Sequence, residues 1–178
     1  MPSFVCQCCG KRHSRLPTEW GFREPEDVFA LSYVAKYLRV RSNADLCTLD
    51  DSRYFLRGYI SLPFADSGGE FGWGVWVEVS EDHHAVYVSQ IITEAEGGTA
   101  TRYRLAGRLA NSIPGYRRTL GFAVDVLLGE AGQRPSVWLP SRSRHTLRRE
   151  QSMGISAARH HQLLEACGYF RARADKRA

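Results

Sequence analysis

The chain has 178 residues, 43% of them hydrophobic and 24% charged, with a formal net charge of +5. That length suits a single domain able to bury a core without disulfides, and the composition excludes a disordered or collagen-like chain. No apolar run approaches the roughly 20 residues that span a bilayer, so no membrane is expected as a partner.

The start, MPSFVCQCCGKRH, has no signal-peptide stretch, so the expected location is the cytoplasm, where the five cysteines read as metal ligands or free thiols. Residues 4–13 are a Cys-rich, zinc-knuckle-like turn, and residues 14–24 read as a polar loop. Pro25-Glu26-Asp27 opens a helix, with proline first and acids at the positive end. Its apolar stripe is Val28, Leu31, Val34, Ala35 and Leu38. Residues 46–62 read as β structure broken at Asp50-Asp51-Ser52, and in 54–64 the even positions face a core while Arg57 and Tyr59 face away. Ser67-Gly68-Gly69 is a hairpin turn. In the strand 71–79 every odd position is apolar, which predicts a deeply buried Trp73. Ser80-Glu81-Asp82 caps a helix over 81–93. Residues 103–113 fit helix and strand equally. Residues 119–128 and 134–139 form a second hairpin, and two short helices follow near 146–152 and 157–167. The predicted class is α+β: an antiparallel sheet with packed helices. The predicted organisation is one domain over 1–178, with its body at 25–168 and a basic tail at 169–178.

Several stretches carry a family resemblance: CQCCGKRH, ADLCTLD, FLRGYISLPF, FGWGVWVEVSE, RLANSIPGY, GQRPSVWL and EQSMGIS. Together, over roughly residues 4–168, they resemble the bacterial family catalogued as domain of unknown function 2199. The resemblance implies a single-domain protein and brings no activity, substrate or catalytic residue with it. This chain departs from the family pattern at Arg144-His145-Thr146, where an Asp-His-Pro is usual, and at Asp125, where a His is usual.

Cys6 and Cys9 have the C-x2-C spacing of a zinc knuckle, and Gly10 lets the backbone turn tightly behind them. Zinc in a closed structural site takes four ligands, for which His13 and Cys47 complete the set. The bland alternative is a group of free thiols. A second candidate site, for a ligand, gathers Arg57, Tyr59, Trp76, Asp125 and His145. Gly58, Gly72 and Gly74 leave backbone uncovered beside it. Its bland alternative is an Arg57 paired with Asp125 or Glu78 under covering helices. The pairs His83-His84 and His160-His161 make no chelate by themselves on a helix and are expected to be solvated, whereas Cys167 is expected in the core. The sequence has no phosphate-binding loop, dinucleotide fingerprint, nucleophile elbow or zinc-protease motif.

Charge is uneven: residues 1–100 carry a net −5, residues 101–150 a net +7 and residues 151–178 a net +3. The basic part is rich in arginine and poor in interleaved aromatics, which weakens a single-strand nucleic-acid reading. The expectation is a zinc-stabilised, protein-binding or accessory module, of immunity type, that acts by contact and is not an enzyme. Its rivals are a metal-assisted or acid–base hydrolase using the Arg57/Trp76/His145 region, and a nucleic-acid binder using the basic half.

Overall fold

The computed structural model describes residues 4–5, 10, 12–13, 16–66, 68–99, 101–129 and 133–170. A two-stranded ribbon comes first: β1 (Phe4–Val5) pairs antiparallel with β2 (Arg12–His13), Phe4 opposite His13. Next come β3 (Glu19–Gly21), α1 (Glu26–Phe29), α2 (Tyr33–Arg39), β4 (Val40–Ser42) and β5 (Leu46–Leu49). The long hairpin β6 (Arg53–Pro63) and β7 (Glu70–Val79) leads into α3 (Glu81–Ala95). Then follow β8 (Tyr103–Leu109), β9 (Ala123–Leu128), β10 (Ser136–Trp138), α4 (Thr146–Met153) and α5 (Ala157–Ala166).

The α+β class is as expected, but the sheet is not simply antiparallel. β6 to β10 pair in sequence order, and β10 then returns to β6 in parallel, closing a five-stranded barrel. β3 extends the sheet in parallel from β7, while β5 and β4 extend it from β6. Gly58 permits the closure: a Cβ there would lie 2.4 Å from Val137 Cγ2 and 3.1 Å from the Pro135 carbonyl oxygen.

Strand periodicity predicts the inside correctly. Leu56, Ile60 and Leu62 of β6 and the odd residues of β7 fill one core with Leu105, Leu109, Val124, Val126 and Val137. α3 adds Tyr87 to it, and the two last helices add Leu147, Leu163 and Leu164. Trp73 is fully buried, edge-on to Phe71 and Tyr116. A smaller cluster of Val28, Cys47, Leu49, Phe55, Trp76 and Ala110 lies on the other face of the β5–β6–β7 layer.

Four expectations need correction. Residues 19–21, read as loop, form β3 beside β7, where glycine eases the close approach: a Cβ on Gly74 would lie 3.3 Å from Gly21 Cα. The helix opened at Pro25 breaks at 30–32, and the Ser32 side chain caps a new helix by accepting from Ala35 N at 3.3 Å. The break rotates the stripe, so Val34 and Leu38 are 65% and 72% exposed instead of buried. His160 and His161 are buried, not solvated: His160 sits beside Phe64 and Phe71 and donates from Nε2 to the Pro17 carbonyl at 2.7 Å, and His161 stacks on Phe170. Tyr169 and Phe170, assigned to the basic tail, pack against the core, while residues 171–178 lie outside the described residues.

The buried polar side chains work as ties between loops and strands. Asn111 accepts from Trp76 N (2.7 Å) and donates to the Glu24 carbonyl (2.9 Å). Gln151 accepts from Leu139 N (3.0 Å) and donates to the Val137 carbonyl (2.9 Å). These bonds satisfy backbone groups that neither sheet nor helix could reach.

Candidate functional site

Arg57 lies mid-strand on the outer face of β6, its guanidinium 5.9 Å from the Trp76 ring. It pairs with neither expected acid. Asp125, round the barrel on β9, holds Arg104 at 2.7 Å. Glu78 clamps Arg53 through two bonds of 2.7 and 2.8 Å, and Arg53 also takes Asp27 at 2.8 Å. Among the described residues Arg57 has no carboxylate at ion-pair distance and its buried Nε has no acceptor. Burial, then the nearby Arg134, lower its pKa, and Asp45 and Glu19 oppose that.

The glycine-lined floor is filled by the chain itself. Tyr59 lies across Gly72, where a Cβ would come within 1.8 Å of its hydroxyl, and β3 covers Gly74. Burial first, then Glu70, pushes the Tyr59 phenol up to about 12. Trp76 is 2% exposed and donates from Nε1 to the Phe22 carbonyl at 3.2 Å, so it lines no open site.

His145 is elsewhere. It caps α4, its Nδ1 accepting from Leu147 N (3.1 Å) and its Nε2 donating to the Arg117 carbonyl (2.7 Å), between Phe122 and Tyr116. Both ring nitrogens are engaged in one neutral tautomer, which leaves no lone pair for a general base. No described side chain bonds to both Arg57 and His145.

Of the four expected zinc ligands, Cys6 and Cys9 lie outside the described residues, and of His13 only its strand pairing is described. Cys47 is 1% exposed within the smaller apolar cluster, where burial pushes its thiol up to about 11. Among the described residues no group of three or more His, Cys, Asp or Glu could hold a metal ion. Also among them, no helix is long and apolar enough to cross a membrane.

The most unusual surface is one the sequence reading missed. Phe29, Tyr33, Val34, Tyr37 and Leu38 are 65–84% exposed, and α2 has no buried residue. Residues 33, 34, 37 and 38 fall within an arc of roughly 140° of one helix. Ion pairs border them: Lys36 with Glu24, Arg39 with Asp50 (2.6 Å), Arg41 with Asp51 (3.3 Å) and Arg53 with Asp27 (2.8 Å). An apolar centre with a polar, self-neutralised rim is the anatomy of a protein interface. The signal was legible in FALSYVAKYL, which is apolar on more than one helical face.

The fold and its surfaces thus define a small α+β protein built on a closed five-stranded barrel. The chain belongs to the DUF2199 family, described as uncharacterized proteins conserved in bacteria, whose profile matches residues 5–155. No curated protein and no solved structure matches it.

Proposed function

We propose that the chain is a protein-binding accessory module that docks through the exposed face of α1 and α2. The carrying observation is the cluster Phe29, Tyr33, Val34, Tyr37 and Leu38, large side chains left open to water. Together they offer on the order of 700 Å² of apolar-rich surface, near one partner's share of a standard interface and above the isolated patches of ordinary monomers. Because the rim cations already have acids, the occupant is a protein presenting an uncharged apolar surface, held by burial more than by charge.

A photo-crosslinking residue at position 37, compared with one at the exposed position 102, tests this in a bacterial host that carries the protein. A discrete product from position 37 alone, formed also in about 0.5 M salt where charge attraction is screened, is the expected result. No product, or the same products from both positions, overturns the reading. A product of the chain with itself replaces the proposed partner by a second copy.

We also propose structural zinc on Cys6 and Cys9, completed by His13 and Cys47. The β1–β2 ribbon supports this, because the C-x2-C segment lies in sequence between its two strands and the pairing sets His13 opposite Phe4. Cys47 has the weaker support, being enclosed by apolar side chains.

A further inference from the structure

A hollow of about 310 Å³ opens between α1 and the loop that joins it to β3. Phe22, Glu24, Glu26, Phe29 and Asn111 are among its walls, and Phe29 belongs both to this hollow and to the exposed α1–α2 face. The walls are tied down from behind. Phe22 N donates to the Gly74 carbonyl (2.9 Å), and the Phe22 ring stacks on Trp73 with centroids 6.4 Å apart. The Glu24 carbonyl accepts from the buried Asn111 side chain (2.9 Å). Glu26 N donates to the Ala110 carbonyl (2.8 Å), and the Glu26 carboxylate accepts from Ser112 N (2.6 Å). Val28, on the same short helix, is fully buried. Walls fixed at this many backbone points stand before a partner arrives, and such preorganisation lowers the cost of binding.

The wall chemistry points to the occupant. Charges of both signs surround the hollow: Arg23, Glu24 and Glu26 line it, Lys36 pairs with Glu24, and Arg57 Nη2 lies 3.0 Å from where a Cβ on Gly21 would stand. Neither an anion nor a cation meets a one-sided field there. The two rings, Phe22 and Phe29, instead favour a flat apolar group, because aromatic pairs gain more than their area burial alone. The volume sits at the bottom of the range for small-molecule pockets, about 300–1,000 Å³, which suits a single large side chain. Interfaces draw much of their affinity from such single anchors in well-formed pockets.

We infer that the partner inserts one uncharged aromatic side chain into this hollow, against Phe22 and Phe29, while its neighbouring residues cover α2; this rests on the docking reading above. The test titrates the whole protein with the N-acetyl amides of tryptophan, leucine and glutamine, followed by backbone amide NMR. The tryptophan compound is expected to shift the amides of residues 21–24, 29 and 111 saturably, with a dissociation constant of about 1–10 mM, as befits one unlinked side chain. The leucine compound should bind about threefold more weakly, lacking a ring, and the glutamine compound should not saturate. Phe29→Ala, at a 70% exposed position, should melt like the parent yet weaken the tryptophan compound about fivefold and the crosslink from position 37 by as much. Equal binding of the three compounds, no saturable shift, shifts confined to residues 33–38, or a Phe29→Ala variant that binds and crosslinks like the parent would each overturn the inference. The titration needs no partner, so its failure beside an intact position-37 crosslink removes the anchor and leaves the docking face standing. A tryptophan compound that binds while position 37 gives no product removes the docking face, and the anchor with it.

Discussion

The Tyr116 hydroxyl donates to the Glu150 carboxylate, which also accepts from Arg159 Nε at 2.9 Å, while the Arg159 guanidinium lies 5.0 Å over the Tyr116 ring. Arg159 further donates to the Gly115 carbonyl at 3.1 Å, so three side chains tie the loop before β9 to both last helices. Tyr116→Phe removes one bond to a charged acceptor and should cost about 1.5–3 kcal/mol. Glu150→Ala strips both partners at once and should cost more, about 3 kcal/mol or above. Urea unfolding of the two variants checks the order; a Tyr116→Phe loss equal to the Glu150→Ala loss would contradict the shared-carboxylate account.

Stability should fall at both ends of the pH range. Burial raises the Tyr59 and Tyr87 phenols to about 12 and Tyr116 higher still, whereas an unfolded tyrosine ionises near pH 10. Between about pH 10 and 12 the unfolded chain releases protons that the folded chain keeps, so stability present below pH 10 is lost as pH rises. Burial lowers His84 and His160. Below about pH 6.5 the unfolded chain takes up protons that the folded one resists, so stability present above that pH is lost as pH falls. Melting temperatures from pH 5 to 11 read out both limbs; a flat profile above pH 10 would contradict the buried phenols.

The barrel seam depends on Gly58. Gly58→Ala must push against Val137 Cγ2 and the Pro135 carbonyl, and overpacking of this kind costs about 1–3 kcal/mol. Adding Val137→Ala removes the offending methyl and should recover part of the loss, despite its own cavity cost. Independent, additive losses in the double variant would mean that the seam is not where the strain lies.

Apolar residues should divide sharply by location. Trp73→Ala, at a fully buried position, should cost about 3–5 kcal/mol or prevent folding. Tyr33→Ser with Tyr37→Ser, at 84% and 81% exposure, should change unfolding free energy by no more than about 0.5 kcal/mol per residue. A large loss in the double variant would show that α2 serves the core and not a partner.

For the proposed zinc, protein purified without chelator should carry about one metal ion per chain. Cys6→Ala and Cys9→Ala should each lose it and melt at a lower temperature, since such a metal contributes its binding free energy to folding. Cys47→Ala separates the ligand sets: retention of the metal would remove Cys47 from the site and leave it a packing residue.

The sequence by itself determined the elements whose period is long enough to read. Every odd position from Phe71 to Val79 is apolar, so its inward face, with Trp73 on it, followed directly, and Ser80 marked a helix start that its side chain does cap. Only the tertiary structure decided the rest. Barrel closure rests on one short parallel pairing, Ser136 to Tyr59, between strands some 75 residues apart, and local periodicity carries no trace of such a contact. The same holds for acid partners: Arg57 had two candidate carboxylates, Glu78 and Asp125, and the fold gave Glu78 to Arg53 and Asp125 to Arg104. The helix after Pro25 was misjudged because one capping serine, Ser32, restarts the helical phase, and a few residues of slip turn a core stripe into an exposed face.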